Sequence, residues 1–420
     1  MKYKILLIEH NAVSLRIIKR VIGKANLDVV VASTLTEAKV IFDQSTPESF
    51  LCAVVDYTLP DAPHGEAIDF AISSFVPVIV LTDQPDSDVR ARILSKAVVD
   101  YIPKQNHQVF EYLSRLLTRL EKNRHVGVLV MAKTPSKRNP VCELLNRHNF
   151  VTYQANNLEQ AKVLLLKHPS IKQLIVDNKL RDQSGIELVA NLRKEYSKEE
   201  LSIIGTSEQD DPALLARFIK SGANDYLRIP YCHEEFFCRV LQNIEYIEQI
   251  DIIRKTANTD YLTGLPNRRH FFSEVKTILR REPENVSLAL LDLDHFKAIN
   301  DTYGHEQGDI VLKDVAKLMK KHFKSHPISR FGGEEFCVFF DGINQVNALK
   351  KLEDFRLAVQ EKMFKSGKRK VKCTVSIGLT SKGHQKIEQM LSFADENLYK
   401  AKSNGRNRIV SDQILNTASL

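Results

Sequence analysis

Two short stretches of this chain carry acids where chemistry needs them. Asp292-Leu293-Asp294 closes the apolar run Val286–Leu291, and Glu334-Glu335 follows Gly332-Gly333. An apolar run that ends in acids reads as a strand with carboxylates at its end, and a glycine pair supplies the positive-φ freedom of a two-residue hairpin. Paired strands can bring Asp292 and Glu334 close together, a geometry that makes a site for a hard cation. Lys402 and Arg406 lie four apart near the end of a helical stretch and can reach one phosphate chain. Carboxylates for Mg2+, cations for phosphates and glycines for close backbone approach point together to nucleotidyl transfer. Each alone is weak, since a Gly-Gly-Glu-Glu-Phe string also fits an ordinary hairpin.

A second group of polar residues follows short apolar runs in the first 104 residues: Glu9 and His10, Asp56, Thr82 and Lys104. An internal repeat explains their spacing. Asp56 and Asp177 are 121 residues apart, Thr82 and Thr206 are 124 apart, and Tyr101 and Tyr226 are 125 apart. The nearly constant offset marks residues 1–124 and 125–250 as two copies of one domain. In the first copy, runs at Ile5–Ile8, Val29–Val31, Cys52–Val55, Pro77–Leu81 and Val99–Ile102 alternate with stretches of helical period. The pattern predicts an α/β architecture with a doubly wound parallel sheet in each copy. Ligands bind such sheets beyond the carboxyl ends of the strands, where Glu9, His10, Asp56, Thr82 and Lys104 all fall. The second copy keeps Asp177 and Thr206, but Met131-Ala132 stands at the acidic pair and Ile229 at the lysine. A lone carboxylate gathers Mg2+ poorly, so this copy is expected to be a degenerate adaptor.

Phe237, Leu241, Ile244, Ile247, Ile250 and Ile253 then recur every three or four residues. They predict a helical linker over 236–258, overlapping the end of the second copy, whose narrow apolar seam suits either a partner copy or packing within one chain. Beyond it, residues 259–412 mix helical stretches with strands at Val286–Leu291, Ile328–Phe331, Glu334–Phe340 and Val371–Ile377. That order implies an α+β domain with a mainly antiparallel sheet.

The 420 residues, at a prior of roughly 150 per domain, suit about three domains. An apolar fraction of 43% with 27% charged residues is that of an ordinary globular chain, which excludes disordered and low-complexity architectures. No apolar run is long enough to span a membrane, the start is too short in apolar residues for a secretory signal, and six scattered cysteines form no C-x-x-C pair. A cytoplasmic protein with reduced thiols and no membrane partner is expected. The net charge of +8 favours an anionic partner without choosing one. The densest basic stretch, residues 365–372, has no interleaved aromatics and reads as a solvated loop, so no nucleic-acid partner is expected.

The polar set of each repeat resembles that of the receiver domain of two-component response regulators. The resemblance implies that Asp56 accepts a phosphoryl group, with Thr82 and Lys104 on the phosphoryl oxygens, Mg2+ at the position of Glu9 and His10, and an upstream histidine kinase or phosphotransfer protein. His10 departs from the family's acidic pair. Residues 256–412 resemble the GGDEF family, the diguanylate cyclases, through Asp260-Tyr261-Leu262-Thr263-Gly264-Leu265-Pro266-Asn267-Arg268-Arg269, the segment Asp292 to Asp301, Gly304-His305, Gly308-Asp309, Gly332 to Phe336, and Lys402 with Gly405-Arg406-Asn407. These enzymes condense two GTP into cyclic di-GMP and release two pyrophosphates, working as homodimers. The resemblance implies that Asp292, the Leu293 carbonyl and Glu334 hold Mg2+, that Glu335 lies near the ribose 3′-hydroxyl, and that Asn300 and Asp309 read guanine. It also implies that Lys297, Lys402 and Arg406 contact phosphates, with Gly332 and Gly333 giving the substrate close access. The rival reading is a silent module that binds GTP or cyclic di-GMP, against which the intact acids and cations argue. The Arg-x-x-Asp inhibitory site of many relatives would fall on Phe323 and His326, which can supply neither the guanidinium nor the carboxylate.

Overall fold

Phe50–Asp56 is buried along its whole length, as a strand covered by helices on both faces must be. It is β3 of the first of three five-stranded sheets among the described residues, with β1 (Lys4–Ile8), β2 (Asp28–Ala32), β4 (Val78–Thr82) and β5 (Asp100–Pro103). The computed structural model describes residues 3–46, 49–74, 76–83, 86–104, 107–209, 211–366, 369–382 and 386–412. The chain divides into two units, Met1–Ile250 and Asp251–Leu420.

The first unit holds two parallel sheets. The first has the order β2-β1-β3-β4-β5, and the second is built from β6 (Gly127–Met131), β7 (Val151–Ala155), β8 (Ile171–Asp177), β9 (Ser202–Ser207) and β10 (Asp225–Arg228) in the order β10-β9-β8-β6-β7. Read from the other edge, that is the same order, so the repeat seen in the sequence is a repeat of topology. Central strands β3, β4, β8 and β9 are almost wholly buried, whereas the edge strands β2 and β7 begin on exposed residues. The helix Ala12–Lys24 starts directly after the Glu9-His10 pair because the Asn11 side chain accepts hydrogen bonds from the amides of Val13 and Ser14 at 2.9 and 3.2 Å.

The helix His233–Asn258 begins three residues before the predicted start of the linker. Phe236, Phe237, Val240 and Ile244 are buried in the core under the second parallel sheet, and Ile247 is buried as well, so its first half packs within the chain. Its last turns differ, with Ile252 and Ile253 63% and 61% exposed.

The second unit is a mixed sheet of β11 (Val286–Leu293), β12 (Ile328–Gly332), β13 (Glu335–Asp341), β16 (Val375–Thr380) and β17 (Ile409–Ser411), in the order β12-β13-β11-β16-β17. All pairs are antiparallel except β16 with β17, which returns parallel after the helix Ile387–Ser403. The expected strand Val371–Ile377 is two strands. β14 (Phe364–Ser366) and β15 (Arg369–Val371) pair with each other, and β16 starts only at Val375. The basic stretch 365–372 is therefore not simply a loop, since its flanks form this ribbon; Gly367 and Lys368 lie outside the described residues. Among the described residues no helix is long and apolar enough to cross a membrane.

β11 is buried at all eight positions between β13 and β16, and its carboxyl end carries Asp292. The helix Ile387–Ser403 lies directly on β16, where a Cβ on Gly378 would stand 2.1 Å from the Ala394 carbonyl oxygen and 2.3 Å from the Leu398 amide. Neither backbone atom can yield, so Gly378 sets the height of this helix over the sheet. Gly378→Ala should destabilise the second unit by about 1–3 kcal/mol, read as a fall of several degrees in its thermal midpoint. An unchanged midpoint in calorimetry of the full chain would contradict this packing.

Candidate active site and phosphoacceptor pockets

The hairpin in the second unit turns one residue later than the glycine pair suggests. Gly332 pairs with Glu335 across the ladder, after a register shift between Arg330 and Gly332, so the turn residues are Gly333 and Glu334. Gly332 and Gly333 have φ of +155° and +49°, and a Cβ on either would meet open space. Backbone conformation, not crowding, therefore calls for glycine there. The shift places Glu334 at the tip and Glu335 opposite Asp292 on the neighbouring strand.

Asp292 is buried at 7% exposure and accepts an ion-paired hydrogen bond from Lys402 Nζ at 2.8 Å. Burial pushes its carboxyl above the ordinary range; Lys402 pulls it back, and the charges of Glu334 and Glu335 push it up again. Three carboxylates thus gather at one strand end, with one lysine paired to the buried one. Asp294, also in the sequence motif, plays a different part. It accepts from Thr374 Oγ1 at 2.7 Å, Ser376 Oγ at 2.6 Å and the Asn407 amide at 3.0 Å, and so ties β11 to β16 and to the segment after the last helix.

Arg330 was not singled out for this site by the sequence, yet it holds the turn. Its Nη1 donates to both carboxylate oxygens of Asp260 at 2.9 and 3.1 Å, while Nε and Nη2 donate to the Gly333 carbonyl at 2.9 and 2.6 Å. Burial opposes ionisation of Asp260, but hydrogen bonds from Thr263 and Arg330 hold it below its ordinary value. The Asp260-Tyr261-Leu262-Thr263-Gly264 motif is, in this fold, the anchor for the turn that bears Glu334.

Asn300 and Asp309 come from the helices Phe296–Tyr303 and His305–His322. The two helices approach closely at Gly308, the residue before Asp309, where a Cβ would stand 2.0 Å from Asn300 Oδ1. Lys297 is exposed on the first of these helices. Lys402 and Arg406 do not share a helix face, because the helix ends at Ser403 and Arg406 follows in a left-handed conformation with φ of +61°. Phe323 is fully buried against Phe340 and Phe355, and the His326 ring packs on Phe340.

In the first parallel sheet, Glu9, His10, Asp56 and Lys104 converge. Lys104 Nζ lies 2.7 Å from Glu9 Oε2 and 2.9 Å from Asp56 Oδ2, and it reaches Asp83, which the sequence did not mark, at 3.4 Å. Thr82 is buried at the end of β4. Burial raises Asp56 to about 6, Glu9 pushes the same way, and Lys104 opposes both. Lys104 is raised despite its own burial, through hydrogen bonds to Glu9 and Asp56.

The second sheet has no counterpart to Lys104, but a different lysine arrives. Lys137, near the start of the helix Pro135–Arg147, lies 3.8 Å from Asp177 Oδ2 and 2.8 Å from Glu208 Oε2. Burial raises Asp177, and Lys137 partly offsets it. Thr206 is also buried in this pocket.

The Asp56 shift has a pH consequence. A folded-state value near 6, above the ordinary 3.8, means the fold prefers the neutral acid. The stability this adds is complete below about pH 4 and is lost as pH rises through about 6. Asp56→Asn, measured with a chelator present, should therefore raise the thermal midpoint of the first unit at pH 7 to 8, with a gain that shrinks as pH falls toward 5. A gain independent of pH would contradict a raised Asp56.

Comparison with known proteins agrees with this geometry. The model of the diguanylate cyclase GGDEF domain matches residues 257–408, and that of the response regulator receiver domain matches residues 128–240. Response regulator PleD of Caulobacter vibrioides is 32% identical over 252 residues, 56% of each chain. Diguanylate cyclase A of Treponema denticola is 34% identical over 183 residues, 40% of this chain and 49% of that one. The chain thus spans about half the length of these curated relatives. A crystal structure of a two-component system response regulator/GGDEF domain protein is 34% identical, with a TM-score of 0.52, over 59% of this chain and 100% of that one. With a receiver domain on its second parallel sheet and a GGDEF domain on its mixed sheet, the chain belongs to the response regulator/GGDEF domain proteins, homologous to the PleD-type diguanylate cyclase response regulators.

Proposed function

We propose that residues 259–412 condense two GTP into cyclic di-GMP with release of two pyrophosphates. We further propose that residues 1–124 are a first, phosphate-accepting receiver and residues 125–250 an adaptor, with the helix over 236–258 leading to the cyclase. The observation that carries the cyclase reading is the gathering of Asp292, the Glu334 turn and Lys402 at one end of β11.

The acids fit a hard dication. A buried carboxylate raised by two neighbouring acids, already drawing an ammonium to within 2.8 Å, is short of positive charge. Asp292, the Leu293 carbonyl and Glu334 would hold Mg2+, which when bound polarises the α-phosphate and makes the ribose 3′-hydroxyl more acidic. Glu335, across the ladder from Asp292, would orient that hydroxyl. The Asp309 carboxylate matches the N1–H and 2-amino donors of guanine, which adenine lacks, and Asn300 beside Gly308 adds a second polar contact. Lys297, Lys402 and Arg406 bring the positive charge that a triphosphate needs. One domain holds one GTP while the product needs two, so a homodimer is part of the proposal. Phosphorylation of Asp56 would set activity by favouring one arrangement of the two copies. Phe323 is committed to the core and Arg330 to Asp260, so product inhibition through the Arg-x-x-Asp position is no part of this reading.

Pyrophosphate release from GTP with Mg2+ tests the proposal. Glu334→Gln and Asp292→Asn should each lower it by about 100-fold or more, the upper end of what losing even an outer-sphere metal partner costs, with the fold retained by circular dichroism. Near wild-type release in either variant would refute the metal assignment. GTP binding without release in the wild type would leave a silent binding module.

A further inference from the structure

We infer that the first parallel sheet carries a site for a first-row transition dication, of the zinc or cobalt type, held by Glu9, His10 and Asp56. This differs from the oxygen-bound Mg2+ that its family resemblance implies. The three residues meet because β1 and β3 are adjacent and in register, Ile8 opposite Val55, so the residues just beyond them leave the sheet side by side. One ligand atom from each lies within 4.8 Å of the others. His10 Nδ1 is 3.5 Å from Asp56 Oδ2 and 3.7 Å from Glu9 Oε1. A metal bound at about 2.0–2.2 Å by nitrogen and oxygen holds its ligands roughly 3–3.5 Å apart, so drawing in this set, whose separations all lie within 4.8 Å, closes it around one ion.

The donor set decides which ion. Mg2+ demands near-octahedral oxygen and gives up its water reluctantly, so it depends on carboxylate charge. Here Lys104 already neutralises part of the charge of Glu9 and Asp56, and an imidazole stands where a second acid would be. Replacing that acid by a neutral nitrogen donor weakens the pull on Mg2+ and strengthens binding of metals that prefer imidazole. Burial and exposure suit such an ion. Glu9 and Asp56 are 0% and 3% exposed, whereas the His10 side chain is 42% exposed and leaves solvent access for exchange and for open coordination positions. The Asn11 amide donates to Glu9 Oε1 at 2.9 Å and orients that oxygen toward His10.

These contacts are independent of the chemistry at the end of β11. Co2+ is the probe, because nitrogen and oxygen ligation gives weak visible bands whereas thiolate ligation gives intense ultraviolet ones. Full-length protein titrated with Co2+ in a large excess of Mg2+, which occupies the acids at the end of β11, should bind one ion with the weak bands alone. His10→Ala should weaken that binding by at least about tenfold, and His10→Asp should let Mg2+ displace Co2+. Binding unaffected by His10→Ala, displacement by comparable Mg2+ in the wild type, or no such band would each overturn the site; if His10→Ala fails to fold, the His10→Asp competition decides alone. Phosphoryl uptake at Asp56 from acetyl phosphate is read separately, so a chain that binds Co2+ without being phosphorylated refutes only the phosphoacceptor reading.

Discussion

Like charge gathered in a poorly solvated place is the constraint on which this protein's sites depend. At the end of β11, Asp292 is buried while Glu334 and Glu335 press on it, and Lys402 is the cation that answers. Such an arrangement is costly unless the surrounding elements hold it. The holding parts can be named. The strand is buried at every position, Arg330 ties the turn to Asp260, Asp294 gathers hydrogen bonds from Thr374, Ser376 and Asn407, and Gly378 lets the lysine-bearing helix lie on the sheet. Most of these residues touch no proposed substrate atom; they set where the charges are.

The two parallel sheets solve the same electrostatic problem in different ways. Both end their third strand in a buried aspartate, and both bring an ammonium to it. In the first sheet the lysine follows the fifth strand, where Lys104 bridges Asp56 and Glu9. In the second it comes from the first helix, where Lys137 spans Asp177 and Glu208. A lysine so placed supplies charge without a metal, and it gives a physical reason why a copy that has lost its acidic pair can still keep Asp177 buried.

Much of the architecture was legible because it rests on periodicity and repetition. Nearly constant offsets between Asp56 and Asp177 and between Thr82 and Thr206 expose the duplicated topology, and the acids and glycines near residues 292 and 332 stand out through their position at strand ends. What escaped depends on local backbone or on long side chains. The register shift near Phe331 moves the turn onto Gly333 and Glu334, and no hydrophobic period records a bulge. The break before Val375 hides in a run of strand-forming residues. Arg330 and Lys137 reach partners 70 and 40 residues away in sequence, and only the fold brings those partners near. Lys402 and Arg406 looked like a helical pair until the helix ended between them.

The catalytic role proposed for the end of β11 is reached most directly by product analysis. Nucleotide chromatography of the full chain incubated with GTP and Mg2+, with and without acetyl phosphate, should show cyclic di-GMP with two pyrophosphates per product, and more of it with the phosphodonor. GTP recovered unchanged under both conditions would contradict a catalytic role for Asp292, Glu334 and Glu335.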